Sequence, residues 1–163
     1  KNEYGLEIEQ KNKEWLEFVQ SSLVKAYKKK SKIRKMKKGY YRLNVYSKDI
    51  YNELLGFREN PELILRQTKN FQLGFLQGVF YAEGSVRKDR NHITVSLNKK
   101  KTIKVIQTIL SEIGIKTGKE WQDKNLVITI PIYGSENMKK FQHLINFRHP
   151  EKVERLKLLV NDL

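Results

Sequence analysis

The sequence contains no cysteine, which excludes disulfides, thiolate nucleophiles and cysteine-ligated zinc. Its three histidines, His92, His143 and His149, do not fall at metal-ligand spacing and read as surface or packing residues. No run of about 18 apolar residues is present, so no membrane span is expected. A secretory signal pattern is also missing, and the expectation is a cytoplasmic protein without a membrane partner. Acids are scarce beside bases: 18 Asp and Glu stand against 33 Lys and Arg, a net charge of +15. An excess of that size implies an anionic partner, most simply nucleic acid, because phosphate neutralisation by Lys and Arg dominates such affinities. A ribosome-surface or membrane-surface protein would share the charge. With 163 residues the chain can build a real core.

What is present is organised around Leu73-Gly-Phe-Leu-Gln-Gly-Val-Phe-Tyr-Ala-Glu-Gly-Ser-Val86. Phe71, Phe75, Leu76, Val79 and Phe80 recur at helical period and predict a core-facing helix. Gly74, Gly78 and Ala82 recur every four residues and share one face. Two glycines inside a helix cost about 1 kcal/mol each relative to alanine, and close approach of another backbone along that face would offset the cost. Glu83 falls in the last turn, where a carboxylate opposes the helix dipole. Gly84 is expected to stop the helix in a left-handed conformation.

Before this helix, residues 3 to 10 alternate polar and apolar, a half-buried strand with Tyr4, Leu6 and Ile8 on the core face. Residues 12 to 26 switch to helical period. The Lys- and Arg-dense run from Lys25 to Lys38 leads into an aromatic strand, Tyr40 to Tyr46, and reads as a phosphate-contacting β-ribbon. Ser47 then opens a short helix expected to close at Gly56. Residues 58 to 70 read as a polar connection, with Asn60-Pro61 starting a short helix. After Gly84, Ser85 to Lys88 and residues 92 to 98 are strands joined by a turn at Lys88 to Asn91. A helix over 100 to 113 follows. A hairpin around Asp123-Lys124-Asn125 comes next, with Pro131 arguing for an edge or strand-exit position. Residues 134 to 146 and the segment opening at Pro150 read as two further helices.

Strand, helix, strand pair and helix occur in that order in residues 3 to 57 and again in 92 to 147. A constant offset of 87 lays Leu6 on Ile93, Leu16 on Ile103 and Tyr46 on Tyr133. A duplicated unit is the expectation.

The central helix resembles the signature helix of the LAGLIDADG homing endonucleases. The nine family positions fall on Leu76-Gln77-Gly78-Val79-Phe80-Tyr81-Ala82-Glu83-Gly84; Leu76, Gly78, Ala82 and Gly84 match by identity, and Glu83 is an acid where the family has one. The Phe147-Arg-His-Pro-Glu-Lys-Val-Glu-Arg-Leu156 run is similar to the tail of archaeal members. The resemblance implies an α+β fold of duplicated αββαββα units forming a DNA-binding β-saddle, the first unit incomplete. Its domains would be a partial half-unit over 1–57, a linker over 58–70 and a complete unit over 71–163. It implies site-specific cleavage of double-stranded DNA. It also implies Mg²⁺, or another divalent cation, bound by Glu83, and Gly74, Gly78 and Ala82 as a helix interface. The family mechanism needs a second acid on a partner helix, from a missing upstream segment or another chain. Gln10 and Asn98 match the Gln or Asn that members carry near the metal-bound waters, and Lys11 and Lys99 follow them, the latter a candidate for stabilising charge on the scissile phosphate. Their alignment disagrees by one residue with the offset of 87. Sequence reading would fall to outward strand residues: Lys32, Arg34, Lys35, Arg42 and Asn44 in the first unit, and Arg87, Lys88, Arg90, His92, Thr94 and Ser96 in the second. The alternative within the same fold is a non-cleaving DNA-binding regulator or an RNA-splicing maturase.

Overall fold

The structure, a computed structural model, describes residues 4–87 and 91–161. The chain divides into two compact units, Lys1–Glu59 and Asn60–Leu163. In the first, the alternation of Leu6 and Ile8 with Glu7 and Glu9 forms strand β1 (Gly5–Gln10). Helix α1 (Lys13–Tyr27) begins where the Asn12 carboxamide oxygen accepts from the Trp15 N–H at 3.0 Å. It ends where Lys28 turns left-handed, at φ 55°. Strands β2 (Lys32–Lys35) and β3 (Tyr41–Tyr46) and helix α2 (Lys48–Glu59) follow. The basic run is therefore split between the end of α1, β2 and a single 3-10 turn at Lys37–Gly39. The sheet is antiparallel in the order β1-β3-β2. Leu16 and Leu23 of α1, Leu43 and Val45 of β3 and Ile50 of α2 form its core, with Leu6, Ile8, Trp15 and Ile33 packed around them. Each such buried side chain contributes roughly 1.5–3 kcal/mol. Helix α2 does not close at Gly56 but runs on to Glu59, since an interior glycine costs only about 1 kcal/mol against continued packing.

The second unit opens with 3-10 turns at Pro61–Arg66. Pro61 and Ile64 are buried, and the segment packs against the helix that follows the second unit's first hairpin. Helix α3 (Lys69–Glu83) runs directly into strand β4 (Gly84–Arg87). Strand β5 (His92–Leu97), helix α4 (Lys100–Glu112), strands β6 (Trp121–Gln122) and β7 (Ile128–Tyr133), and helices α5 (Ser135–Leu144) and α6 (Pro150–Asn161) complete it. The antiparallel sheet has the order β4-β5-β7-β6. Phe80 of α3 meets Phe141 of α5 edge-on, with ring centroids 4.7 Å apart, and Phe147 packs edge-on against Phe80 and tilted against Phe141. That aromatic trio anchors the end of α3.

Two local expectations are corrected. Gly84 is not left-handed: at φ −79°, ψ 151° it is extended and is already the first residue of β4. Its role is room. A Cβ there would stand 2.4 Å from the Phe80 carbonyl oxygen and 2.9 Å from the Phe147 ring. Pro131 lies in β7, an interior strand rather than an edge. Its carbonyl accepts from the Gly118 N–H at 2.8 Å. A strand residue's nitrogen and carbonyl face the same neighbour, so the absent N–H falls on that side and the β5–β7 ladder is unbroken.

The duplication is visible in the strand register. Adding 87 to Gly5↔Tyr46 gives His92↔Tyr133, and the same shift carries each β1–β3 pair onto a β5–β7 pair. Arg34↔Arg42 becomes Trp121↔Thr129, and Lys35↔Tyr41 becomes Gln122↔Ile128. Unit one thus repeats β5 to α5.

Candidate active site and nucleic-acid interface

Helix α3 starts at an N-cap, Thr68, whose hydroxyl accepts from the Phe71 N–H at 3.4 Å. Gln72, 4 % exposed, fastens its first turn to the preceding 3-10 segment by donating to the carbonyls of Leu65, Gln67 and Ile64 at 3.0, 3.3 and 3.4 Å. Leu76, Phe80 and Tyr81 bury one side of the helix. Gly74, Gly78 and Ala82 lie on another, and all three are exposed. A Cβ added at Gly74 or Gly78 would meet no atom within 4 Å. The small-residue face is open.

Glu83 ends this helix with its side chain exposed. The residue beside it that sequence reasoning missed is Lys152, on α6. Its ammonium donates to the Tyr81 carbonyl at 2.7 Å and sits over the Phe147 and Tyr81 rings, 5.7 and 6.0 Å from their centroids. Burial pushes the Lys152 amine below its ordinary value, and the Glu83 carboxylate pulls the other way. A cation at the carbonyl end of α3 offsets both the helix dipole and the carboxylate placed against it. Nothing in the spacing of α6 signals this; only the tertiary fold brings residues 81, 83 and 152 together.

Gly84 pairs with Val95 in an antiparallel ladder. The end of β5 therefore runs back alongside the junction of α3 and β4, which brings Asn98 and Lys99, both exposed, to the end of the sheet where Glu83 lies. Lys99 occupies the N-cap position of α4 without a side-chain cap. Gln10 ends β1 opposite Tyr41 and is half-buried. The shared register makes Leu97 the counterpart of Gln10 and Lys11 the counterpart of Asn98, so Gln10 and Asn98 are not at equivalent positions. Glu83 offers a hard, accessible oxygen ligand suited to Mg²⁺. Among the described residues no group of three His, Cys, Asp or Glu side chains converges.

The strand faces divide by parity. On the outer face of the first sheet Lys32 and Arg34 of β2 stand opposite Asn44 and Arg42 of β3, which face Glu7 and Glu9 of β1. Arg42 is ion-paired to Glu9, its Nε–H donating to the Glu9 carboxylate at 2.6 Å, and lies 3.5 Å from Glu7. Lys35 has the opposite parity, in register with Tyr41 and Gln10, and is exposed, so it does not join that row. On the second sheet Arg87 is exposed, and His92, Thr94 and Ser96 do share the face away from Ile93 and Val95. They are not the open surface expected of them: His92 is 4 % and Thr94 8 % exposed. The reason is their place on an interior strand. His92 lies between Arg87 and Tyr133 in register, with its ring 5.0 Å from the Tyr133 ring, and Ser96 shares a 2.8 Å hydrogen bond with Thr129. Lys88 and Arg90 lie outside the described residues.

Comparison with known proteins places this arrangement. Residues 70–146 match the LAGLIDADG-like domain, and residues 1–56 match the WhiA LAGLIDADG-like domain. The chain belongs to the LAGLIDADG homing endonuclease family. It is 26 % identical over 144 residues to homing endonuclease I-ApeI of Aeropyrum pernix, covering 79 % of this chain and 65 % of that protein. It is also 25 % identical over 174 residues to glutamine–fructose-6-phosphate aminotransferase [isomerizing] of Methanocaldococcus jannaschii, covering 97 % of this chain but 16 % of that protein. The DNA-directed RNA polymerase subunit Rpo1C of the same organism is 29 % identical over 127 residues, covering 74 % of this chain and 14 % of the subunit. The chain thus spans less than two thirds of each relative's length. The fold matches I-DmoI in complex with DNA and Mn at a TM-score of 0.68, with 23 % identity, covering 87 % of this chain and 80 % of that one. It also matches full-length DUF199/WhiA from Thermatoga maritima at 0.63, with 16 % identity, covering 98 % and 53 %. Other I-DmoI structures were solved with Mg or Ca.

Proposed function

We propose that this chain is the DNA-binding and cleaving part of a site-specific, metal-dependent double-strand endonuclease. The observation that carries the reading is an exposed carboxylate, Glu83, at the foot of a helix whose Gly74/Gly78/Ala82 face is open to a partner. A second helix seated there would bring its own acid beside Glu83, from a segment upstream in the full protein or from another chain. A divalent cation bound by Glu83 would supply Lewis-acid activation of water and stabilisation of the leaving oxygen. The chain's own residues do the rest. Lys152 holds the end of α3 so that Glu83 stays placed, and Asn98 and Lys99 lie at the same end of the sheet, where water and phosphate would be oriented. In the first unit Gln10 ends β1, with Lys11 next to it. Lys32, Arg34, Lys35 and Arg87 bind backbone and base edges, as would Lys88 and Arg90, which lie outside the described residues.

The relatives also support a mobile origin. Segments similar to 97 % and 74 % of this chain recur within an aminotransferase and within an RNA polymerase subunit, taking up a small share of each. An intervening sequence inserted into unrelated hosts has that distribution. The second reading, a non-cleaving DNA-binding protein or maturase, is favoured by the lack, among the described residues, of any group of three His, Cys, Asp or Glu side chains. Incubating the chain with a plasmid library and Mg²⁺ separates the two. Cutting or nicking at a defined site, abolished by Glu83→Gln while binding persists, is expected; specific binding without cutting by the full-length protein overturns the nuclease reading.

A further inference from the structure

We propose that Glu9, with Glu7, positions the guanidinium of Arg42 to read a guanine from the outer face of the first unit's sheet. The proposal rests on the DNA-binding reading above and assigns a role to two acids that reading does not use. Two carboxylates on an open sheet face of a chain with net charge +15 work against phosphate binding, so a face that only neutralised phosphate would do better without them. Their register gives them another task. One row across the sheet is Glu9–Arg42–Arg34, and the next is Glu7–Asn44–Lys32. Glu9 accepts from the Nε–H of Arg42 and is ion-paired to one of its terminal nitrogens, and Glu7 lies 3.5 Å from the other.

A guanidinium carries five N–H groups in one rigid plane. Glu9 holds it by the Nε edge. The two terminal nitrogens carry the side-by-side donors that guanine O6 and N7 accept in the major groove. The Arg42 side chain is 31 % exposed, so the fork can be reached while its plane is held. Arg42 is thus a base reader and Glu9 a positioning residue, whereas Lys32 and Arg34, on the basic edge strand, are free to meet phosphate.

The test selects duplexes from a randomised pool with the whole chain, in the absence of divalent metal, and sequences what is retained. The native chain is expected to favour guanine at one position on the order of 10- to 100-fold. Arg42→Lys keeps the charge but loses the fork, and Glu9→Gln loses the ion pair. Both should reduce the preference at that same position to a few-fold and leave the other positions intact. Glu9→Asp, which draws the carboxylate back by one methylene, should do the same. A uniform loss of affinity with unchanged preferences in these variants would overturn the proposal and make Arg42 a phosphate contact. Preferences present in the native chain, none of them controlled by Arg42, would overturn it while leaving DNA reading intact. No preference at any position would overturn both.

Discussion

Replacing two glycines ten residues or fewer apart by alanine should move stability in opposite directions. Gly78 is inside α3, and an added Cβ meets nothing within 4 Å. Gly78→Ala should therefore stabilise the chain by about 0.5–1 kcal/mol, the ordinary helix-interior difference. Gly84 has backbone angles any residue can adopt, φ −79° and ψ 151°, so conformation does not forbid alanine. Space does: the Cβ would lie 2.4 Å from the Phe80 carbonyl oxygen, 3.0 Å from its carbon and 2.9 Å from the Phe147 ring. Two of those atoms are backbone, and the ring is wedged between Phe80 and Phe141. Overpacking of this kind costs about 1–3 kcal/mol, and the smaller entropy of the unfolded chain returns at most about 1. For a unit of this size 1 kcal/mol is about 4–8 °C in Tm, so the two variants should melt roughly 10 °C apart. Thermal and urea unfolding at low micromolar protein, with the monomeric state checked, measures this. A destabilised Gly78→Ala monomer would refute the open face, and an unperturbed Gly84→Ala would refute the close approach of β4 to the end of α3.

Lys152→Met should change stability by no more than about 1–2 kcal/mol at neutral pH, since losing the bond to the Tyr81 carbonyl is offset by no longer burying an ammonium. The Lys152 amine is lowered from 10.5 in the folded chain, so between that lowered value and 10.5 the unfolded state binds more protons and native stability rises with pH. Urea titrations should show the native chain gaining on Lys152→Met as pH climbs toward 10.5; a constant gap would rule this out. Leu126 holds φ 61° at a hairpin tip with 67 % of its surface exposed. A left-handed leucine costs about 1–2 kcal/mol, and so little contact is at stake that Leu126→Gly should raise the denaturation midpoint. A lowered midpoint would mean that the leucine packs.

Much of this was legible in residue order. Period-2 and period-3.6 apolar patterns are local consequences of strand and helix geometry, so Leu6/Ile8, Ile93/Val95 and the helices around Leu16 and Ile103 could be read directly. The offset of 87 is also a property of the linear pattern, and the strand registers repeat it. The spacing of Gly74, Gly78, Ala82 and Glu83 pointed to the signature helix for the same reason: one helix carries all four. Where reading failed, the deciding neighbour was distant in sequence. Gly84 is small because of the Phe147 ring as well as the Phe80 carbonyl one turn before it. Pro131 is tolerated in an interior strand because of Gly118. His92 and Thr94 are on the expected face yet covered, because parity sets the face and the flanking strands set the exposure.

The sequence alone determined the α+β class, the duplicated strand–helix pattern, the strongly basic surface and the helix that ends in Glu83, since composition, periodicity and motif are properties of one segment at a time. Only the tertiary structure decided that the glycine face of α3 lies open, that Lys152 arrives from α6 to hold the carbonyl end beside Glu83, and that Arg42 is held by Glu9 and Glu7. Those depend on which strands pair and which helices pack, and contacts across 33 or 71 positions leave no periodic trace in the chain that makes them.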